Sequence, residues 1–503
     1  LAKGTTNFTL NGGRNEYAIM GWFYRAAYDY KGKYLAEVNG RYDGTSRFPR
    51  GKRYGFFPSF SAAYRISEEA FFEPLRKTVD NLKIRLSYGS LGNQQIGYYD
   101  FIQTITTKGS MGDYSFDGTI LGQHATVSDP VSGNQTWEKV ISKNLGADLN
   151  MFSNRLSLTA DFYIRDTKGI LGKGKSLPSI YGANEPQVNS NNLRTKGYEL
   201  VLGWRDSFKL AGSTFSYGIT GTFSDYTAEY TKCDNPSGLI GGPYVGKKYG
   251  EIWGYKVDGL FRNDEEAAEY ASRVDLSKVA AGYYSATGAY GKGVRGGDIK
   301  YLDLDGSGIV DGGKGTLEDP GDRRVIGNSS PRYQYGLTLN LSWYGFDLSV
   351  FMQGIGRLDW YPGADNLRFW GPYSRPYATF IPKNFMSQVW SESNPDAYLP
   401  RARAYTSLNS TQGTAYYTND RYLQNLAYCR LKNLTLGYTI PKRLTSKVGI
   451  KECRVYFSGE NLATWSALKN DFLDPEQAAA DSDKKSNVYP WCRTYSVGLN
   501  LTF

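Results

Sequence analysis

The feature that most constrains this chain is the order in which its connections alternate in length between segments of one repeated pattern. In Tyr333, Tyr335, Leu337, Leu339, Leu341 and Trp343 the residues between are Gln334, Gly336, Thr338, Asn340 and Ser342. Leu156, Leu158, Ala160, Phe162 and Ile164 interleave with Ser157, Thr159, Asp161, Tyr163 and Arg165, and Phe215, Tyr217, Ile219 and Phe223 with Ser216, Thr220, Thr222 and Ser224. An apolar residue at every second position marks a β-strand with one wet face. About thirteen such segments occur, each close to or longer than the roughly ten residues a tilted membrane-crossing strand needs.

Short links between them fall near residues 442–448, 344–345, 206–212, 153 and 31–33, with a modest one at 67–80. Long ones fall near 466–489, 361–422, 231–330, 170–193, 92–136 and 44–52. Taken in order they alternate short and long, although the modest link at 67–80 outruns the long one at 44–52. A soluble sandwich has no reason to sort its loops by end, whereas an up-and-down barrel has tight turns at one rim and long loops at the other. The fold class expected is therefore all-β: a transmembrane antiparallel up-and-down barrel with long extracellular loops. Residues 231–331 form its largest external region, and 247–261 belong there, paired with a partner strand, because one more spanning strand would break the alternation. An odd strand number cannot close a single-chain bacterial barrel, and a bare edge in lipid leaves amides unsatisfied. Upstream strands are therefore expected beyond a chain that starts without Met inside patterned sequence.

Composition agrees. The mean hydropathy is −0.50, and no apolar run reaches the ~18 residues of a membrane helix. A barrel tolerates this, since only one face of each strand meets lipid. Aromatics make up 15% of the chain, with 42 Tyr, as interfacial girdles require. The last strand ends on Tyr495, Val497, Leu499, Leu501 and Phe503, a terminal aromatic like the one by which outer-membrane barrels are recognised for assembly. The net charge of +10 is spread among acids, so it points to an anionic leaflet or substrate and not to nucleic acid. Cys233, Cys429, Cys453 and Cys492 have no metal-like spacing.

Several stretches carry a family resemblance. They are residues 30–72 (YKGKYLAEVNGRYDGTSRFPRGKRYGFFPSFSAAYRISEEAFF), 82–97 (LKIRLSYGSLGNQQIG), 297–311 (GDIKYLDLDGSGIVD), 322–354 (DRRVIGNSSPRYQYGLTLNLSWYGFDLSVFMQG), 431–441 (LKNLTLGYTIP) and 457–476 (FSGENLATWSALKNDFLDPE). Together they resemble the SusC/RagA-type TonB-dependent outer-membrane transporters, in order and over most of the chain. The resemblance implies a barrel of about 22 strands closed by a plug. It also implies energy delivered through TonB, a SusD-like surface lipoprotein as a lid, and oligosaccharide or sometimes peptide cargo. This chain would then be the C-terminal part, residues 1–503 supplying about thirteen strands, with the plug and the TonB-contacting segment outside it.

Two regions are candidate sites. Asp303, Asp305, Ser307, Ile309 and Asp311 follow the first nine positions of a calcium loop, with Gly308 at the turn. Position 12 is Lys314 where a bidentate Glu belongs, so Glu318, Asp319 or Asp322 would have to supply that carboxylate. Ca²⁺ ordering this loop and a plain Asp/Gly turn both fit. The stretch 360–380 (WYPGADNLRFWGPYSRPYATF) sets Trp360, Trp370, Tyr373 and Tyr377 among Arg368, Arg375 and Asp365. Such rings suit stacking on sugars, a dry contact with a lid protein, or simple loop packing. Tyr98 and Tyr99, in the region 92–136 with the only histidine, His124, are a second candidate on the same face. Residues 264–273 read as a short exposed helix capped by Asn263 or Asp264. Residues 288–297 are glycine-rich but hold no GxxxxGK[ST] nucleotide motif. Arg47, Arg50, Lys52 and Arg53 crowd one loop tip, where lipid, substrate or solvent could meet them.

The functional expectation is active import of oligosaccharides. Its alternatives are peptide import by the same family and a passive porin or surface-binding barrel, which an upstream plug and TonB box would discriminate. An enzymatic barrel is disfavoured because a hydrolase needs a base for its nucleophile and the chain has one isolated His.

Overall fold

The computed structural model describes residues 13–108, 115–116, 119–120, 124–175, 177–284, 293–375, 377, 379, 381, 383–403, 408, 413–469, 473–480 and 491–503. Its frame is a 13-stranded antiparallel sheet in which every strand pairs with its sequence neighbours in the sheet. The strands are β1 (Ile19–Tyr30), β2 (Tyr34–Thr45), β3 (Tyr54–Arg65), β4 (Val79–Asn93), β5 (Glu138–Met151), β6 (Leu156–Lys173) and β7 (Gln187–Leu210). They continue as β8 (Ser213–Lys232), β9 (Arg332–Trp343), β10 (Phe346–Arg357), β11 (Tyr428–Thr439), β12 (Glu452–Ser466) and β13 (Thr494–Thr502). The up-and-down order is as the sequence predicts, and so is the alternation of loop lengths from β4 onward; before it, the connection 46–53, expected long, is shorter than 66–78 on the short-loop side. Among the described residues β1 and β13 are edges that do not pair with each other.

The tight turns explain themselves. Ala211-Gly212 and Tyr344-Gly345 each connect two strands with both residues at positive φ (48° and 85°; 51° and 82°), the twist-matched geometry of two-residue hairpins. Two links are shorter than expected. Pairing runs on to Leu210–Ser213, so the link placed at 206–212 is only two residues, and β6 and β7 stay paired as far as Lys173–Gln187. Strands β6, β7 and β8 are 18, 24 and 20 residues long, so their upper parts rise beyond what a bilayer requires.

Register assigns the faces. Tyr34, Val38 and Tyr42 stand on the same side as Tyr64, Phe60 and Phe56, and the apolar row of β6 shares a side with Leu200, Leu202 and Trp204 of β7. Phe60, Phe162 and Leu202 are more than half uncovered or close to it, at 50%, 56% and 53%. Uncovered apolar rows over a whole sheet mark a lipid-facing wall. On β1–β3 the rings gather at two heights: Trp22, Tyr42 and Tyr54 at the upper end, with centroids 6.0 and 5.4 Å apart, and Tyr30, Tyr34 and Tyr64 at the lower, 6.4 and 5.1 Å apart. Eight residues of β2 separate the two girdles, about 26 Å along the strand and about 20 Å in height at a tilt near 40°. That approaches the height of an outer-membrane apolar band.

The packed core lies elsewhere. Phe261, Leu276, Ile299, Tyr301, Trp370, Tyr422, Leu426 and Leu473 belong to one buried cluster drawn from three connections at the long-loop end. A smaller one joins Phe48, Phe57 and Trp137. Residues 247–261 lie in the largest connection, where Glu251–Tyr255 pairs with Arg323–Asn328 and Val257–Leu260 with Ile299–Tyr301. The expected helix is Asp264–Ala271, and Asn263 caps it by accepting from the Glu266 amide.

Candidate functional site: the barrel interior and its loop-built mouth

The polar face of the wall is an ion-paired lining. Arg25 meets Glu37 through two bonds of 3.0 and 2.9 Å. Arg85 bridges Asp148 and Asp161 at 3.0 Å each, Lys83 adds to Asp148 at 3.5 Å, and Asn144 donates to Asp161 at 2.6 Å. Arg454 reaches Asp347 from two strands away. At the tight-turn end this face opens a recess of about 720 Å³ beside Arg205, Ser216, Asn340 and Ser349. Opposite charges at this density suit a water-filled interior.

At the long-loop end of the wall sits the loop body. Gly297 lies at φ +86°, and a Cβ there would stand 2.4 Å from the Trp390 ring, so the connections 233–331 and 358–427 interlock with no room to spare. Beside it Asp298 and Arg403, 1% and 5% exposed, pair at 2.5 Å, with the guanidinium 4.1 Å from the Tyr283 ring centroid. Burial pushes the Asp298 carboxyl up against the opposing pull of Arg403. A hydroxyl hub adds to the joint: Asn419 donates to the Tyr361 hydroxyl (3.1 Å), and the buried Tyr301 donates to the Thr414 carbonyl. At the rim of β11, Arg430 is 1% exposed and is clasped by Asp474 and Glu476, with Lys432 sharing Glu476 at 2.8 Å. This clasp holds the helix Pro475–Ala480 against the wall. Sequence reasoning missed both ion pairs. The Asp474-Pro-Glu476 tripeptide within a family-like stretch was the available signal for one, and nothing local marked Asp298 with Arg403.

The aromatic candidates divide. Trp370 and Tyr373 are wholly buried, and the Tyr373 hydroxyl donates to the Pro400 carbonyl at 2.5 Å. Their rings pack against Phe369, Tyr422 and Phe385. This corrects the stacking reading for these two, because rings that fill a core offer no face to a ligand. Trp360 is buried too. Arg368 sits on the short helix Leu367–Trp370, Arg375 lies 3.9 Å from Asp365 with both partly in solvent, and Tyr377 is 82% exposed. Pro376, Ala378 and Phe380 lie outside the described residues. Tyr98 and Tyr99 stay accessible but occupied: the Arg47 guanidinium lies over the rings of both Tyr98 and Tyr17, and the Tyr99 hydroxyl donates to the Glu16 carbonyl. Arg47 and Arg53 are thereby structural, since Arg53 also caps the Phe48 carbonyl. His124 stands opposite Lys108 in a small two-stranded ladder. Of the glycine-rich stretch, residues 288–292 lie outside the described residues.

In the Asp-rich loop, Asp303, Asp305 and Asp322 each bring a carboxylate oxygen within 4.8 Å of one another. The other three candidates turn aside: the Asp311 carboxylate accepts from the Gly313 amide (2.7 Å), and the Ser307 hydroxyl donates to the Ile309 carbonyl (3.0 Å). Asp303 accepts from Gly306 and Gly308, and the buried Asp322 from Leu304 and Asp311. Burial pushes the Asp322 carboxyl up, while the Ser307 contacts hold Asp305 down. Asp322 is one of the three carboxylates the sequence offered in place of Lys314.

The family model for the TonB-dependent receptor-like β-barrel matches residues 2–462. TonB-dependent receptor P3 of Formosa agariphila is 27% identical over 97% of this chain and 46% of its own length. TonB-dependent receptor SusC of Bacteroides thetaiotaomicron is 23% identical over 96% and 44%. A solved structure of the RagAB peptide transporter superposes with a TM-score of 0.71 at 21% identity, covering 97% of this chain and 48% of that one. The chain thus spans about half the length of these relatives. The outward apolar wall, the charged interior and this match agree, and the chain belongs to the TonB-dependent receptor β-barrel family of the bacterial outer membrane.

Proposed function

We propose that this chain supplies the wall and mouth of a TonB-dependent importer of oligosaccharides that works beneath a SusD-like surface lipoprotein. The carrying observation is the pairing of a charged inner face with a packed loop body at the long-loop end: a polar path for a soluble cargo, and a firm seat for a lid. Energy through TonB would enter by parts of the protein outside this chain. Peptide import is the second reading, favoured by the fold likeness to the RagAB peptide transporter. The reading is of a transporter and not an enzyme. Its test uses the full-length protein in cells lacking the native copy, supplied with labelled oligosaccharide or labelled peptide. Uptake of the oligosaccharide that vanishes with TonB supports it; peptide uptake alone selects the second reading; TonB-independent uptake of both returns the passive barrel.

We further propose that Ca²⁺ binds at Asp303, Asp305 and Asp322 and orders this loop. The supporting geometry is three convergent carboxylates in an oxygen-only setting of the kind hard cations take. Calorimetry of the chelated full-length protein should show heat on adding Ca²⁺ that D305N removes; no heat in the wild type overturns it.

A further inference from the structure

The lipid-facing surface changes character sharply on β5, β6 and β7. Leu86, Leu145, Phe162 and Tyr198 form one continuous row across β4–β7, and the first three of these are exposed. The next row on the same face, toward the long loops, reads Tyr88, Lys143, Ile164 and Lys196. The row above holds Ile141, Asp166 and Arg194, and the one above that sets Lys139 directly opposite Lys168. Lys139, Lys143, Lys168 and Lys196 are all exposed, and no ion pair engages them among the described residues. Two carboxylates stand among them: Asp166, both of whose oxygens Arg194 takes at 2.6 and 3.3 Å, and Glu229, opposite Arg194 on β8. The four lysines and Arg194 outnumber them five to two. Like charges directly opposite on one face destabilise a ladder, so the Lys139–Lys168 pairing is unfavourable unless an anion sits over it. The patch is also local. At the upper end of β1–β3 the same face carries the rings of Trp22, Tyr42 and Tyr54 instead.

We propose that these four lysines bind the phosphate groups of a phosphorylated glycolipid of the outer leaflet, a lipid A-type molecule. Its acyl chains would lie along the Leu86–Leu145–Phe162–Tyr198 row directly beneath. Two features select this occupant. The basic patch is continuous with the lipid-facing wall, and it stands on the loop side of the apolar band, where an outer-leaflet headgroup resides. Neighbouring strands are about 4.8 Å apart and residues rise about 3.3 Å each, so the patch is about 10 Å wide and 13 Å high, room for more than one phosphate. Lysine suits this use, as a point charge on a flexible stem that can follow a mobile headgroup. The unusual length of β6 and β7 supplies the height on which the lysines stand.

The test uses the full-length protein reconstituted in phosphatidylcholine nanodiscs containing bis-phosphorylated lipid A, with retained lipid read by native mass spectrometry. Combined K139Q, K143Q, K168Q and K196Q should lower lipid A retention by about tenfold or more, since each cation near an anionic surface contributes appreciably. K442Q, K447Q and K451Q, at the opposite rim, should leave it unchanged. Dephosphorylated lipid A should bind wild type as weakly as the intact lipid binds the quadruple variant. Equal retention by wild type and quadruple variant overturns the proposal, as does an equal loss in the opposite-rim variant. Equal competition by phosphatidylglycerol would show a general anionic surface and also overturn it. If the quadruple variant loses its heat-modifiable folded band, the pairs K139Q/K168Q and K143Q/K196Q replace it, each expected to show part of the loss.

Discussion

Arg430 shows how one residue can decide whether a loop stays attached. It is 1% exposed and answers Asp474 and Glu476 together. Removing Arg430 strips Asp474 of its cation while Glu476 keeps Lys432, so the cost falls below the about 3–5 kcal/mol of a fully buried pair but still loosens the clasp. Arg430→Ala should therefore release residues 467–480, seen as new cleavage there in limited proteolysis, with the wall intact; an unchanged digestion pattern would refute it. Trp370→Ala should cost about 3–5 kcal/mol by leaving a cavity in the loop body, read as protease sensitivity of 358–427 while the folded band of the barrel persists. The buried phenols give a pH signature. Burial pushes Tyr255 up to about 12, and Tyr301 and Tyr361 well above the ordinary value. A raised phenol favours the native state fully below the unfolded value near 10, and that contribution is lost as the pH climbs toward 12. Tyrosinate absorbance should rise in two stages, exposed rings first. A single step near 10 for all rings would contradict the burial. The sequence marked Trp370 and Tyr373 as notable without revealing their direction, because an aromatic in an irregular loop has no periodicity to orient it.

At the scale of the element, the strand is the unit that reads directly. Period two assigns Leu158 to the lipid side and Thr220 to the interior. Leu158→Arg should lower folding stability in lipid by about 2–4 kcal/mol if it lies near the midplane, and Thr220→Arg far less; equal costs in a urea refolding series would overturn the assignment of faces. All thirteen strands were legible because the same alternation repeats in each and the turns carry left-handed signals such as Gly212 and Gly345. Boundaries were not. The links at 206–212 and 170–193 shrink in the structure because backbone pairing continues past the point where a polar residue, Asp206 in the first, interrupts the apolar row or the row ends. Hydrogen bonds hold those extensions, and hydrogen bonds leave no trace in side-chain pattern.

Across the whole molecule, the wall and the loop body obey different rules. The wall exposes apolar rows outward and charge inward, and it finds its order in lipid and ladder bonds. The loop body has a conventional buried core assembled from three distant connections. Deleting 363–379 would remove Phe369, Trp370 and Tyr373 from that core, so it would disrupt the body as a whole and could not report on ligand contact alone. Tyr377→Ala with Arg375→Ala touches the exposed side only: under the proposed function it should reduce uptake while the body keeps its wild-type protease resistance, and undiminished uptake would remove these two residues from the site. The sequence by itself determined the all-β class, the strand count, the end at which the long loops gather and the family, because each rests on local periodicity or on ordered motifs. Tertiary structure alone decided which loop aromatics are buried, that Asp322 joins Asp303 and Asp305, that Arg403 meets Asp298, and that four lysines from two neighbouring hairpins share one outer face. Those outcomes depend on register and on packing between segments as much as 105 residues apart, and no local pattern encodes such distances.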